Sequence, residues 1–192
     1  METHTTMVAG SRVIDSSAAG IWRKVGAVAV FAVLTALAAQ MKVILPGSPI
    51  PVTLQTLTVV LAGMTLGPAL GTLSMLFYLA LGLAGYGAFA TGLGVDALFG
   101  YGGGYLVGFV VAQPVIGWLA ARRWNPWLRM TAAALAGHAI ILALGGIWLS
   151  VYLGLSMNAG WTLGVLPFLI GSLIKSAPAI VLAQPVRRFL QR

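Results

Sequence analysis

Long apolar runs, separated by short stretches that carry glycine, proline or arginine, dominate the hydrophobic pattern of this chain. Crossing the hydrocarbon core of a bilayer takes about 20 helical residues. Six runs approach or reach that length, at residues 25–40, 52–66, 69–83, 105–120, 128–153 and 161–183. The second run is short for a full crossing, and Gly67-Pro68 separates it from the third. The pattern predicts an all-α integral membrane protein with six transmembrane helices.

The segments between the runs differ in character. Residues 41–51 are rich in proline, residues 85–104 are rich in glycine, and residues 154–160 read as a short polar turn. Gln184-Pro185 is expected to end the last helix, because proline cannot continue the backbone hydrogen bonding. The predicted organisation is an N-terminal tail at 1–24, a six-helix membrane domain at 25–186 and a basic tail at 187–192.

Composition agrees with a lipid environment. Only 7% of the 192 residues are charged and 59% are hydrophobic, whereas a soluble domain is about 25% charged. The chain has no cysteine, so disulfides and thiolate metal sites are excluded. We expect the first apolar run to be a retained span rather than a cleaved signal peptide, because it follows a polar stretch and lacks a small-residue cleavage site.

The net charge of +8 lies in small clusters between the spans, which is typical of topology signals and not of a nucleic-acid surface. Cytoplasmic loops of membrane proteins are rich in Lys and Arg. Six spans put Lys42 and Asp96 on the outer side. The same count places nine cations on the inner side: Arg12, Arg23, Lys24, Arg122, Arg123, Arg129, Arg187, Arg188 and Arg192. Both termini are therefore predicted to be cytoplasmic, in a multi-pass protein of the cell membrane.

Lys175 is the residue most indicative of function. A charge inside a span costs at least about 2.5–3.5 kcal/mol on insertion scales and marks a functional site by default. The only acid outside the N-terminal tail is Asp96, so an anion from solution is a reasonable partner for Lys175. The alternative is that the lysine reaches an interface with its head group.

Further polar residues accompany Lys175. Ser172 lies three positions earlier and shares its helix face, although a helix–helix hydrogen bond would explain it equally. Thr53, Gln55 and Thr56 open the second span and suit a neutral polar ligand, with N-capping by Thr53 as the alternative.

Small residues mark two other regions. Glycines at 100–104, Gly103 among them, let backbone approach a ligand or another helix closely. The segment lacks the GK[ST] ending of a phosphate loop. Ala32 and Ala36 form a smooth stripe suited to internal packing or to a partner subunit.

His138 has no second ligand at metal spacing, and no catalytic set is present, so neither a metal site nor an enzyme is predicted.

An ordered set of segments resembles the BioY family, the substrate-binding S components of energy-coupling factor (ECF) biotin transporters. The resemblance covers about residues 25–186. Its segments are PVTLQTL at 51–57, LAG at 61–63, LGP at 66–68, LALGLAG at 79–85, GGY at 103–105, LPF at 166–168 and 171–175. The chain departs from the family pattern at Ser172, where members usually have an acid, and in the glycine-rich loop at Tyr101 and Leu93.

The resemblance implies the S-component fold and a biotin pocket near the outer face. It also implies a transmembrane scaffold subunit, contacted through Ala32 and Ala36, and ATPase subunits that use ATP; no cofactor is expected in this chain itself. Biotin would offer its carboxylate to Lys175 and its ureido ring to polar groups. The expected binding residues are Lys175, Ser172, Gln55, Thr53, Asp96, Gly103, Tyr105 and Tyr152, with Tyr86 and Trp148 as further apolar walls and residues 41–51 as a lid. Another small carboxylate such as lipoate, and a non-transporting scaffold, remain the alternatives.

Overall fold

The structure is a computed structural model that describes residues 18–190. Most of the predicted N-terminal tail, with Arg12, and the terminal Arg192 lie outside the described residues. Within that range the structure has seven helices and two short strands. They are α1 (Ala18–Gln40), β1 (Lys42–Val43), β2 (Val52–Thr53), α2 (Gln55–Leu83), α3 (Gly94–Phe99), α4 (Gly103–Ala120), α5 (Pro126–Tyr152), α6 (Met157–Gly164) and α7 (Leu166–Leu190).

Five of the described helices, α1, α2, α4, α5 and α7, are long and apolar enough to cross a membrane. The protein is therefore an all-helical, multi-pass membrane protein. The sequence pattern predicted six spans, and the difference lies in α2, which contains both the second and the third predicted span. Gly67 interrupts this element with a left-handed φ of 81° and an extended ψ of −176°.

The two arms of α2, residues 55–66 and 68–83, fold back on each other at Gly67-Pro68. Gln55 Nε2 donates a hydrogen bond to the Tyr78 hydroxyl oxygen at 2.5 Å, whereas a straight helix would separate two residues this far apart by roughly 35 Å. Close approach of the arms needs glycine, because a Cβ added at Gly71 would lie 3.3 Å from Gly63 Cα. The Gly-Pro pair thus makes an α-hairpin.

The last predicted span is wrong in its extent. Residues 154–160 were expected to be a turn, but Met157 begins α6, whose N-cap Ser156 accepts a hydrogen bond from Ala159 N at 3.3 Å. Val165 (φ −120°, ψ −57°) then interrupts the helical conformation between α6 and α7. At the other end α7 continues through Pro185 to Leu190, so most of the predicted basic tail is helical.

Two short elements were absent from the sequence-based prediction. Residues 52 and 53, assigned to the second span, instead form β2, which pairs antiparallel with β1 and ties together the ends of the proline-rich loop. The glycine-rich stretch contains α3. The remaining predicted spans agree with α1, α4 and α5 to within a few residues at most ends, and α1 begins earlier than the apolar run itself.

The core lies where α4 packs between the α2 hairpin and α5. Gln113 of α4 is fully buried there, and its Nε2 donates to the carbonyl oxygens of Val59 at 3.0 Å and Phe109 at 3.2 Å. α1 packs chiefly on α2, with Ala32 in the core. Many leucine, isoleucine and valine side chains point outward from α1 and α7, as expected for surfaces solvated by lipid.

Candidate binding site

A cavity opens between the first parts of α2 and α4, α5, α7 and two loops. It encloses about 560 Å³ of empty space, including its open mouth. Its lining consists of Ile50, Pro51, Thr53, Gln55, Thr56, Ala90, Thr91, Gly102, Tyr105, Leu106, Phe109, Leu142, Phe168, Ser172 and Lys175. The lining is mostly apolar and has a few polar groups on the α2 and α7 sides.

One face of α7 supplies the cation of this cavity. Phe168, Ser172 and Lys175 follow each other at intervals of four and three residues, so they lie on the same side of the helix. Lys175 is only 7% exposed. Its Nζ donates a hydrogen bond to the carbonyl oxygen of Thr53 at 3.1 Å. The ammonium therefore lies inside the protein rather than at a membrane interface.

No carboxylate of the described residues pairs with Lys175. Asp96 is the single acid in the described part of the chain; it lies in the first turn of α3, is exposed and is not part of the cavity lining. Removing an ammonium from water is costly unless it gains a partner of opposite charge and further hydrogen bonds. The cavity is consequently suited to a ligand that brings its own negative charge.

A chain of hydrogen bonds fixes the polar side of the cavity. Thr53 Oγ1 donates to Gln55 Oε1 at 3.0 Å, Gln55 Nε2 donates to the Tyr78 hydroxyl oxygen, and that hydroxyl donates to the Ala88 carbonyl oxygen at 3.2 Å. Thr53 Oγ1 also accepts from Gln55 N at 3.3 Å, although the N-cap position of α2 is Leu54. Thr53 thus both lines the cavity and satisfies the first turn of α2.

Two hydroxyl groups of the lining have no partner in the described structure. Ser172 Oγ and Thr56 Oγ1 are both buried and make no hydrogen bond. A buried hydroxyl without a partner costs roughly 1–3 kcal/mol. Because both residues line the cavity, a polar ligand can form hydrogen bonds with these two hydroxyl groups. They are therefore the groups best suited to bind the neutral end of a ligand.

Aromatic side chains from α4 and α7 form another part of the lining. The rings of Tyr105 and Phe168 pack with centroids 6.1 Å apart. The Tyr105 hydroxyl donates to the Gly164 carbonyl oxygen at 2.5 Å, which fixes its ring between α4 and the α6–α7 junction. Phe109 and Leu142 complete a rigid apolar surface for an aliphatic or ring-shaped ligand.

The two loops that border the mouth are held to their neighbours by side chains. Lys42 Nζ donates to the Ala90 carbonyl oxygen at 3.0 Å, and Gln40 Nε2 donates to the Gly87 carbonyl oxygen at 2.8 Å. Ser48 Oγ donates to the Leu163 carbonyl oxygen at 2.9 Å. The proline-rich loop therefore bridges the glycine-rich loop and the end of α6 at the cavity mouth.

The structure brings together five of the residues predicted to bind ligand, Lys175, Ser172, Gln55, Thr53 and Tyr105, and places the others elsewhere. Asp96 and Tyr152 are exposed outside the lining. Gly103 packs against α3 and Trp148, where an added Cβ would clash with the Leu98 carbonyl oxygen.

The other predicted positions also lie away from the lining. Tyr86 is exposed, and Trp148 donates its indole N–H to the Gly100 carbonyl oxygen at 2.9 Å. Ala32 is fully buried in the chain's own core, and Ala36 is half-buried.

Sequence reasoning missed several lining residues. The α7 periodicity could have identified Phe168, which lies one helical turn before Ser172. Thr91 and Gly102 lie in irregular or short segments, and only the folded loops bring them to the cavity. Phe109 had no polar signal that would separate a lining residue from a core residue.

The comparisons with known proteins identify the family and the fold. The BioY family model matches residues 6–192. The probable biotin transporter BioY of Pyrococcus horikoshii is 37% identical over 84% of this chain and 94% of its own length. The biotin transporter BioY of Thermotoga maritima is 35% identical over 75% of this chain and 85% of its own length. The fold is similar to the crystal structure of an S component for biotin from an ECF-type ABC transporter, with a TM-score of 0.79, 23% identity, and coverage of 92% of this chain and 95% of that chain. This chain belongs to the BioY family.

Proposed function

We propose that this chain is the biotin-specific S component of an ECF transporter, which captures biotin for import driven by partner subunits. The observation that carries the proposal is the position of Lys175, a buried ammonium without a carboxylate partner among the described residues, in a cavity with two unsatisfied hydroxyl groups. The choice of biotin as the substrate comes from the relatives, which are named as biotin transporters.

The chemistry of biotin matches the three kinds of surface in the cavity. Its carboxylate would pair with Lys175, replacing or joining the hydrogen bond to the Thr53 carbonyl oxygen. Its ureido ring has both donors and acceptors, which suit the hydroxyls of Thr56 and Ser172 and the remaining amide capacity of Gln55. Its aliphatic tail and fused ring would pack on the Tyr105 and Phe168 wall.

Import requires energy from outside this chain. We propose that ATP is hydrolysed by partner ATPase subunits and that a transmembrane scaffold subunit couples them to the S component. Ala36 and the small residues near it on α1 stay the predicted contact with that scaffold. Of the pair Ala32 and Ala36, only Ala36 keeps accessible surface in the isolated chain, so the contact would centre on Ala36 and its exposed neighbours.

We propose six spans, with each arm of the α2 hairpin counted as one and both termini in the cytoplasm. The hydrogen bond between Gln55 and Tyr78 supports the count, because it brings the start of one arm beside the far part of the other. With six spans, the basic cluster at 122–129 and the end of α7 share the cytoplasmic side. The cavity mouth and the proline-rich loop then face outward.

Competition binding separates this proposal from its rivals. Purified chain is incubated with radiolabelled biotin, and unlabelled biotin, lipoate or biotin methyl ester is added. The proposal expects displacement by unlabelled biotin and little displacement by lipoate, which lacks the ureido ring. Stronger displacement by lipoate than by biotin would assign another vitamin-like acid, and no specific binding of either would favour a non-transporting scaffold.

A further inference from the structure

A cluster of cations lies at the end of the molecule opposite Asp96 and Lys42. It comprises Arg23, Lys24, Arg122, Arg123, Arg129, Arg187 and Arg188. Hydrogen bonds between elements show that these residues share one end: Arg187 Nη1 donates to the Ala120 carbonyl oxygen at 3.1 Å, and Arg23 Nη2 donates to the Leu190 carbonyl oxygen at 3.3 Å. The ends of α4 and α7 and the first turns of α1 thus meet here.

Two arginines converge where α4 ends and α5 begins. Arg129 Nη1 donates to the Arg122 carbonyl oxygen at 3.3 Å, which draws the guanidinium of α5 onto the preceding loop. The guanidinium of Arg122 lies 3.6 Å from the ring centroid of Trp118, in a stacked position. Topology signals require only that cations lie near this side of the membrane. They do not require one guanidinium to be held on the backbone of the other arginine while the second stacks on a tryptophan.

The hydrogen-bonding capacity of this pair is not used up by the described residues. A guanidinium has five N–H donors. Arg129 Nε is buried and has no partner, and the Arg122 side chain makes no hydrogen bond to the described part of the chain. No acid of the described residues lies at this end, since their only one, Asp96, is in α3. The pair is therefore a preoriented set of donors that lacks an anion among the described residues.

The depth of the pair in the membrane indicates where the anion comes from. Trp118, Trp124 and Trp127 are all exposed around it. Exposed tryptophan side chains collect at the boundary between hydrocarbon and head groups. An anion at this depth is most simply a lipid phosphate, because planar guanidinium groups bind phosphate oxygens in a bidentate manner.

We propose that Arg122 and Arg129, with Trp118, form a binding site for the phosphate of an anionic phospholipid on this face of the membrane. The site is separate from the cavity, and the proposal does not depend on biotin. Its role would be to hold the α4–α5 corner at the head-group level. Other cations of the cluster raise the local concentration of anionic lipid without belonging to the site.

The test uses the full-length protein purified in a neutral detergent. Dioleoyl phosphatidylglycerol, dioleoyl phosphatidylcholine and inorganic phosphate are titrated separately, and bound species are counted by native mass spectrometry. We expect one phosphatidylglycerol molecule to bind in preference to phosphatidylcholine. Inorganic phosphate should bind poorly, because it lacks acyl chains. Equal occupancy by the two lipids would overturn the proposal.

Matched variants separate a site from diffuse attraction. In Arg122→Gln/Arg129→Gln the phosphatidylglycerol affinity should fall by at least about tenfold, because charge-assisted hydrogen bonds to the phosphate are lost. Arg23→Gln/Arg188→Gln removes the same charge from the same end and should keep most of the affinity. Equal losses in both pairs would refute a defined site.

Circular dichroism and gel filtration establish that each variant is folded. Arg129→Lys keeps the charge but loses the planar guanidinium group. This variant should therefore bind phosphatidylglycerol more weakly than wild type does. Unchanged lipid binding by folded Arg122→Gln/Arg129→Gln, with impaired assembly of the transporter complex, would assign the pair to a subunit interface instead.

Discussion

Lys175 Nζ of α7 and the carbonyl oxygen of Thr53 lie 3.1 Å apart, joined by a hydrogen bond across 122 positions of sequence. The bond links the buried cation of the cavity to the segment that enters the α2 hairpin. A ligand carboxylate that reaches Lys175 would therefore act at the junction of α7, β2 and the proline-rich loop.

Ser172→Ala should weaken biotin binding without loss of stability, because the Ser172 hydroxyl makes no hydrogen bond in the described structure. One hydrogen bond to a ligand contributes about 0.5–1.5 kcal/mol, so the dissociation constant should rise roughly two- to tenfold. Isothermal titration measures the change. An unaltered affinity would remove Ser172 from the binding residues.

Ser176→Ala is the matched control for that substitution. Ser176 Oγ donates to the Ser172 carbonyl oxygen at 2.8 Å and lies 3.3 Å from His138 Nδ1, away from the cavity lining. Its loss should lower stability by about 0.6 kcal/mol, the average for hydrogen bonds between membrane helices, and change biotin affinity little. Thermal unfolding in detergent reports the first effect.

Gly67→Ala should destabilise the protein by about 1–2 kcal/mol, because an L-residue is strained at a positive φ, and Gly67 has φ 81°. Gly26→Ala in α1 is the control, since an added Cβ there would meet nothing within 4 Å. Thermal unfolding of both variants is compared with wild type. If the two melt alike, the turn between the α2 arms is not fixed by Gly67.

Ser48→Ala should speed the release of biotin more than it slows capture. The Ser48 hydroxyl donates to the Leu163 carbonyl oxygen at 2.9 Å and accepts from Ile50 N at 3.2 Å, so it holds the proline-rich loop over the cavity. Loss of this contact should raise the dissociation rate about two- to tenfold. Stopped-flow exchange against excess ligand measures the rate, and an unchanged rate would show that the loop does not retain the ligand.

Introduced cysteines test the proposed orientation directly, because the natural chain has none. Pro49→Cys should react with a membrane-impermeant maleimide added to intact cells. Asn125→Cys should react only after the cells are opened. The five-span alternative puts the two ends of the chain on opposite sides. Labelling both Asn125→Cys and Pro49→Cys from the outside would contradict six spans.

Much of the fold follows from the hydrophobic pattern. Apolar runs located α1, α4 and α5, and Gly67-Pro68 marked the bend in α2. The break at Val165 escaped prediction although Gly164 precedes it, because the apolar run continues across it; Pro167 follows it within the first turn of α7, where its missing N–H costs nothing. The small β1–β2 ladder depends on two segments whose pairing only the folded loop reveals.

The sequence predicted those site residues that a buried charge or the helical period alone can identify. Lys175 and Ser172 were identified because a cation inside a span is costly and because residues three apart share a face. Asp96 was included as the only available acid, yet α3 holds it exposed and away from the cavity. Sequence spacing carries no information on such loop orientation, nor on the approach of Thr91 and Gly102 to α7.

Isothermal titration of biotin into the purified wild-type chain and into Lys175→Met tests the central claim most directly. Methionine keeps much of the side-chain length and removes the charge. The account predicts one biotin bound by wild type and an affinity about 10- to 150-fold weaker in the variant, the value of a charge-assisted hydrogen bond. No biotin binding by folded wild type, or equal affinities for the two proteins, would contradict it.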